Sequence, residues 1–350
     1  MMKTSDSGRE KPLLRKMGEV RRKAVSVSTE SMVRTGYLKA GQTLPLVIEP
    51  AVEGLDPYSW AGRNRDFIEE QLVKHGAILF RGFAMGSTED FDEFSRTILP
   101  HRVNYVEGSS PRISMGEKVY TSTEYPADQF VSMHNELSYA HKWPGKLLFF
   151  CETEPREGGE TPIADSRKVL EAISPDIRER FIEKGVRYTR NLHGGRGAGL
   201  AWQTVFETDD KAAVEAYCRE GEVAFDWKGS GGLSTEQHRP AVRHHPVTGE
   251  ALWFNQADQW HPSNLPEEAQ ALLASRSTAE LPIYATYGDG TPFEGPELDE
   301  IRRVFDKVMV RFSWRKGDGL LVDNMLVAHG RMPFAGPRRI LVAMGETSLP

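Results

Sequence analysis

Short apolar runs closed by glycine, proline or charge recur along this chain, and several stretches between them space apolar residues as a helix does. Ala77-Ile78-Leu79-Phe80 and Lys146-Leu147-Leu148-Phe149-Phe150-Cys151 are continuous runs of strand length, the pattern of strands buried on both faces. Leu44 to Glu49 reads as another strand, with Pro45 favouring a sheet edge. Arg63 to His75 sets Phe67, Leu72 and Val73 among charges and predicts an amphipathic helix. Ser87 suits the N-cap of a second helix reaching about Leu99, with Asp90 in its first turn and Pro100 beyond its end. This opening helix, strand and helix read as an outer wrapping.

After Pro126 the pattern becomes strand-rich. Gly158-Gly159-Glu160-Thr161-Pro162 forms a turn into Ile163-Ala164-Asp165, and Ser166 or Ser174 caps helical stretches that reach about Lys184. Further strands are expected at Ala251–Phe254, Val308–Phe312, Gly319–Asp323 and Ile340–Met344, and helices at Glu267–Arg276 and Pro296–Val304. Between Asn191 and Ser234 glycine and charge dominate around a helical patch from about Asp209 to Glu220, and this insertion reads as a lid over the functional site. No repeat, low-complexity tract or Pro/Ser-rich linker interrupts the chain, which predicts one domain over residues 36–350. Residues 1–35 read as a flexible basic arm, since the chain to Lys23 carries eight Lys or Arg against three Asp or Glu.

Composition narrows the functional classes. An apolar share of 39% and a charged share of 27% over 350 residues describe a soluble globular protein able to bury a large core. A net charge of −6 lacks the basic footprint of nucleic-acid binding. No apolar run of about 18 residues spans a membrane, and no signal-peptide core opens the chain. Cys151 and Cys218 are too few for a disulfide framework or a thiolate metal site, and read as buried thiols of a reducing compartment, with the cytoplasm as expected location.

The chemistry concentrates in Met133-His134-Asn135-Glu136-Leu137-Ser138-Tyr139. On an extended strand His134 and Glu136 share a face, about 7 Å apart along the backbone. A second imidazole from far along the chain, His329, completes two histidines and a carboxylate, the facial set that holds Fe(II) with open coordination positions. Ten residues further on, Arg339 stands where a guanidinium at a strand end can anchor a dicarboxylate chelating that metal; the alternative makes Arg338 and Arg339 surface charges on an edge strand. The other histidines, at 75, 101, 141, 193, 238, 244, 245 and 261, lack a partner at ligand spacing.

From about Leu44 onward the chain resembles the iron(II)/2-oxoglutarate dioxygenases of the TauD/TfdA type. His134-Asn135-Glu136, Gly158-Gly159-Glu160-Thr161, His329 and Arg338-Arg339-Ile340 follow one another in that family's order. The resemblance implies an α+β protein with a double-stranded β-helix core, a cupin-like jelly roll with flanking helices and the inserted lid. It implies His134, Glu136 and His329 as iron ligands and catalytic residues, and Thr161 and Arg339 as binders of the distal carboxylate of 2-oxoglutarate. Glu136 replaces the commoner Asp, and Ala343 occupies the position where the taurine enzyme carries its sulfonate-binding arginine, which argues against taurine. Oxidative decarboxylation of 2-oxoglutarate to succinate and CO2, with O2 as co-substrate, would drive hydroxylation of an unactivated C–H bond. A carboxylate in the third protein position leaves no place for a halide and argues against a halogenase. Tyr120 to Pro126, His134 to Tyr139 and Trp253-Phe254-Asn255-Gln256-Ala257 are similar to the syringomycin-pathway aspartyl hydroxylase subgroup. That wording implies an amino acid or peptidyl substrate, free or bound to a carrier protein, in natural-product biosynthesis. Glu124, Tyr125, Asn135, Asn255 and Gln256 are the candidate substrate residues. Desaturation, epoxidation or cyclisation with the same cofactors, a non-catalytic jelly-roll binding protein, and homo-oligomerisation remain open alternatives at this point.

Overall fold

The long strand Trp143–Thr153 lies at the middle of the protein and explains its own apolar run. In the computed structural model, which describes residues 32–348, Leu147, Phe149 and Cys151 turn to the core around the functional site. Leu148 and Phe150 turn to a second core under the N-terminal helices. Both faces of the strand are dry, so both parities are apolar.

In chain order, β1 (Val33–Tyr37) and β2 (Leu46–Pro50) precede α1 (Pro57–Arg63), α2 (Arg65–His75), β3 (Ala77–Phe80) and α3 (Thr88–Ile98). Then come β4 (Ser114–Gly116), β5 (Val119–Thr121), β6 (Val131–His134), β7 (Trp143–Thr153), β8 (Glu157–Gly158) and β9 (Ile163–Asp165). Helices α4 (Ser166–Ala172) and α5 (Pro175–Lys184) lead to β10 (Val186–Leu192), α6 (Trp202–Phe206), α7 (Lys211–Glu220), β11 (Ala224–Trp227) and β12 (Leu233–Arg239). The remainder is β13 (Val242–His244), β14 (Ala251–Trp253), α8 (Glu267–Leu273), β15 (Ile283–Tyr287), α9 (Gly295–Val308), β16 (Gly319–Asp323), β17 (Val327–Arg331), β18 (Phe334–Ala335) and β19 (Arg339–Ser348).

An eight-stranded sheet runs β1-β2-β3-β16-β7-β19-β5-β4, and a three-stranded sheet β6-β17-β9 faces it. The Phe149 ring on β7 stands 5.1 Å from the His329 ring on β17, so the inner faces of the two sheets meet at the site. This is the α+β, jelly-roll arrangement of two facing sheets with helices outside. The sheet β11-β12-β10-β15 continues the minor wall, where Trp260 packs against Tyr139 and Tyr188.

The outer face of the main sheet is closed by α1 to α3. Ser87 caps α3 in a reciprocal capping box with Asp90, and Phe91 one turn on stacks on Phe150, ring centroids 5.2 Å apart.

Four sequence expectations change. Strand β3 is no wrapping element, because it sits inside the main sheet beside β16. Strand β2 has neighbours on both sides, and Pro45 lies just before it rather than on an edge. The stretch Val308–Phe312 is mostly not strand: α9 runs to Val308, and Val310 makes a single bridge to Ile163. Residues 1–31 of the expected arm lie outside the described residues, while residues 33–35 pair with β2.

The insertion from Asn191 to Ser234 is not a lid over the cavity described below. It folds on its own small core of Trp202, Val205, Phe206, Val214 and Cys218. From there it buttresses the back of the 105–112 loop: the Tyr217 hydroxyl donates to Glu107 Oε2 (2.9 Å), and just past the insertion Gln237 Nε2 on β12 donates to Oε1 (2.7 Å). Burial raises the Glu107 carboxyl above its ordinary value, against these two hydrogen bonds and the nearby Arg190 and Arg239.

His141 packs edge-on against Tyr217 in the same region, and neither of its ring nitrogens has a hydrogen-bond partner. Burial, then the Lys142 and Arg239 charges, pushes its pKa down to about 4. The unfolded chain takes up this proton near the ordinary histidine value while the folded protein refuses it. Stability is therefore full above about pH 6.5 and declines as pH falls toward 4. Urea midpoints at pH 7 and pH 5 should differ in that sense, and His141→Phe should reduce the difference; an unchanged difference would contradict the assignment.

Candidate active site

Strands β6 and β17 are antiparallel neighbours with His134 directly opposite His329. Opposed residues on paired strands present their side chains on one face. The two imidazoles stand 4.5 Å apart, centroid to centroid. Glu136 reaches them by a different route from the expected strand alternation. Strand β6 ends at His134, and Glu136 sits in the turn that follows.

That turn is held from outside. Asn324 Oδ1 accepts the Glu136 N–H (2.7 Å), while its Nδ2 donates to the Glu136 carbonyl (2.9 Å) and the Pro144 carbonyl (2.8 Å). Leu137 takes a left-handed conformation (φ 54°), which costs a non-glycine residue about 1–2 kcal/mol and is offset by burial of its side chain.

One donor atom from each of His134, Glu136 and His329 lies within 4.8 Å of the other two. Two imidazoles and one carboxylate, buried and open to a cavity on one side, suit Fe(II) and its first-row neighbours. Burial holds both histidines below the ordinary value, His329 well below, so protons compete little with a metal for either imidazole at neutral pH. His134 Nδ1 lies 2.8 Å from the Ser132 carbonyl; with the proton there, Nε2 carries the lone pair toward the site.

The site opens into a cavity of about 430 Å³, within the range of small-molecule pockets. Thr161 lines it, and its Oγ1 accepts the Trp314 indole N–H (3.0 Å), which leaves the threonine proton to be donated into the cavity. Arg338 lines it too. Its Nε donates to the Gly159 carbonyl (2.8 Å), and it has no ion pair among the described residues. Burial and the like charge of Arg331 push the Arg338 pKa down to about 10, the mark of a cation short of an anion. Gly159 makes room for it: φ is 68°, and a Cβ there would lie 2.9 Å from Arg338 Cδ.

Arg339 is not in the cavity. It is exposed and pairs with Glu152 (2.8 Å) on the other side of the strand. Ile340, Val342 and Met344 share the inner core while Leu341 and Ala343 face the outer one, so Arg338 belongs to the inward parity. Ala343 likewise faces away, and the inward residue four places after Arg338 is Val342, also apolar.

The remaining candidates divide. Tyr125 lines the cavity, but Glu124 is exposed and does not. Asn135 points away, donating to Ser166 Oγ (3.2 Å) and the Asn324 carbonyl (2.7 Å). Asn255 donates to the Ala241 carbonyl (2.9 Å), and Gln256 Nε2 donates to the Asn135 carbonyl (2.7 Å). These three amides brace the scaffold, because buried polar groups leaving a strand must find partners. Gln259 and Trp260, a few residues on, reach the cavity instead.

Two arginines and one asparagine of the site carry no signal in the sequence. Asn324 looked like an ordinary turn residue. Arg331 donates to the Tyr125 carbonyl (2.9 Å) and the Gln129 carbonyl (2.9 Å), holding one cavity wall. Arg112 forms a buried ion pair with Glu136. Each stands alone among unlike neighbours, so no spacing signals it.

A jelly roll carrying two histidines and a carboxylate beside a cavity is the plan of the mononuclear non-haem iron oxygenases. Residues 41–344 match the family described as taurine catabolism dioxygenase TauD, TfdA family, and the chain belongs to it. It is an iron(II)/2-oxoglutarate-dependent dioxygenase. It is 40% identical to the dapdiamide synthesis protein DdaC of Enterobacter agglomerans over 284 residues, covering 81% of this chain and 86% of that one. A clavaminate synthase-like protein of Arabidopsis thaliana is 31% identical over 294 residues, covering 80% and 84%. Among solved structures, PvcB of Pseudomonas aeruginosa shares the fold at a TM-score of 0.52 and 15% identity, over 89% of this chain and 90% of that one. Among the described residues no helix is long and apolar enough to cross a membrane.

Asn324→Ala removes three buried hydrogen bonds, two to the Glu136 backbone and one to the Pro144 carbonyl on β7. It should cost about 3 kcal/mol in denaturant unfolding, at about 1 kcal/mol each, and weaken metal binding about 10–100-fold in a competitive chelator titration. Unchanged metal affinity would show that the turn holds Glu136 without it.

Proposed function

We propose that this dioxygenase hydroxylates an unactivated C–H bond of an amino acid or peptidyl substrate, free or carrier-bound, in natural-product biosynthesis. His134, Glu136 and His329 hold the iron, and Thr161 with Arg338 takes the distal carboxylate of 2-oxoglutarate. When bound, iron and 2-oxoglutarate supply the O2-dependent oxidising power, with succinate and CO2 as by-products.

The observation that carries the cosubstrate assignment is Arg338, a half-buried guanidinium facing the cavity with no ion pair among the described residues. A guanidinium and a carboxylate pair through two parallel charged hydrogen bonds. Thr161, its proton directed by Trp314, supplies a third donor. The likeness to a dapdiamide synthesis protein supports a substrate built on an amino acid. An apolar Val342 at the inward position past Arg338 supports a substrate other than a sulfonate such as taurine.

The protein's own part in catalysis is positional. Phe149, Trp260 and Ile283 give the cavity apolar walls that displace water, and the Arg331-held loop forms its rim with Tyr125 and Phe130. Held there, a substrate meets the metal face with one carbon in reach, which is where most of the barrier reduction from orientation arises.

The test has two parts. Free amino acids and carrier-loaded aminoacyl thioesters are screened for succinate formation matched by a product one oxygen heavier by mass spectrometry. A product lighter by two hydrogens would favour desaturation or ring closure instead. Arg338→Gln should raise the KM for 2-oxoglutarate tenfold or more, about 1.4 kcal/mol or more. Arg339→Gln should leave it within about twofold, and the reverse order would overturn the assignment.

A further inference from the structure

Glu107 is buried, does not line the cavity, and lies in the left-handed region (φ 66°), which a residue with a Cβ rarely adopts. Every polar group it carries is taken. Its N–H donates to the Val205 carbonyl of α6 (2.7 Å), and its carboxylate accepts from Tyr217 of α7 and Gln237 of β12. Its carbonyl accepts the Tyr139 hydroxyl (2.6 Å) and Arg190 Nη1 of β10 (3.0 Å), and Arg190 Nη2 donates to the next carbonyl, that of Gly108. Elements from across the minor wall thus converge on one residue of a stretch that, from 105 to 112, has no helix or strand of its own.

That loop reaches the metal ligands. Five residues past Glu107, Arg112 forms the buried ion pair with Glu136. The Arg112 guanidinium carbon lies 4.1 Å from the centroid of the Tyr105 ring, and the Tyr105 hydroxyl lies 3.2 Å from Ser110 Oγ, so the loop closes on itself around Arg112. Tyr139, whose hydroxyl meets the Glu107 carbonyl, stands three residues past Glu136. The segments 107–112 and 136–139 are therefore joined at both ends, by an ion pair at the ligand set and by a hydrogen bond behind the wall. A ligating carboxylate is aimed by the groups that bond it from outside the metal, and Arg112 can aim Glu136 only as firmly as its own loop is fixed.

We propose that Glu107 is a positioning residue for the metal centre: it pins the 105–112 loop so that Arg112 holds Glu136 in its ligating orientation. The 191–234 insertion then serves the metal from behind the cavity wall, through Val205 and Tyr217, instead of covering the cavity. The proposal rests on the iron reading above and extends it to a part of the chain remote in sequence from every ligand.

Mn(II), an oxidation-resistant stand-in for Fe(II), is titrated into the protein with the free ion followed by electron paramagnetic resonance, and folding is checked by circular dichroism and urea unfolding. Glu107→Leu removes both carboxylate hydrogen bonds and should weaken Mn(II) binding about tenfold. Tyr217→Phe removes one of them, serves where Glu107→Leu does not fold, and should weaken binding about fivefold. Glu107→Gln can accept from Gln237 and donate to the Tyr217 hydroxyl, and should stay within about twofold of wild type. Val214→Ala opens the insertion's core without deleting a bond to Glu107; it should lower the urea midpoint and leave Mn(II) affinity within about twofold. In an Arg112→Gln background Tyr217→Phe should cost no further affinity, because the path through Arg112 is already cut, whereas effects without a shared path add. The proposal is overturned if folded Glu107→Leu and Tyr217→Phe bind Mn(II) as wild type does, if Val214→Ala weakens binding equally, or if the Tyr217→Phe loss adds in full to that of Arg112→Gln. A Glu107→Gln protein no better than Glu107→Leu would assign the loss to charge and overturn the hydrogen-bonded pin. A wild type that binds no Mn(II) would bring down the iron reading itself, and this proposal with it.

Discussion

The pairing of β6 with β17 is the constraint on which the site depends. Strand register is discrete, and a slip of one residue would send either histidine to the opposite face. With His134 opposite His329, both imidazoles are placed by backbone hydrogen bonds rather than by flexible side chains. The third donor cannot come from the same pleat and arrives through a turn, which is why Asn324 matters. A single buried side chain ties that turn to the end of β16, a segment far away in sequence. The Phe149 ring from the main sheet closes the space behind His329. Rigid elements on both sides hold the three donors, as a low-reorganisation metal site requires.

The cavity has its own electrostatic logic. Arg112, Arg331 and Arg338 all line it, and the carboxylates available to balance them are Glu136 and the rim residue Asp128. Burial lowers the pKa of Arg331 and Arg338 alike, which expresses how poorly these cations are solvated. A metal dication adds to the positive charge, and a dicarboxylate cosubstrate removes most of it. The protein folds around a deficit of anions, and ligands complete the balance.

Much of this was legible in the chain. The continuous apolar runs marked β3 and β7, because strands dry on both faces leave an unmistakable pattern, and the apolar segments at Gly319–Asp323 and Ile340–Met344 marked β16 and β19. The cap at Ser87 was readable because capping is local chemistry. His134, Glu136 and His329 stood out by residue type and order. Other features lie beyond local pattern. The inner and outer parities of β19 are equally apolar, so nothing in Ile340-Leu341-Val342-Ala343-Met344 tells which of two adjacent arginines turns inward. Asn255 and Gln256 follow a strand near the motif, yet their amides satisfy backbone groups, a role only three-dimensional neighbours define. The 191–234 insertion has the glycine and charge of a lid, but its own apolar residues suffice for a small core that anchors it behind the wall.

The most direct test of the central claim is an anaerobic titration of the iron(II)-loaded protein with 2-oxoglutarate, followed by visible absorption. The account predicts a metal-to-ligand charge-transfer band in the wild type, saturating at one 2-oxoglutarate per protein and absent from His134→Ala and His329→Ala. A folded, iron-loaded wild type that shows no such band, or a band of equal strength in either histidine variant, would contradict it.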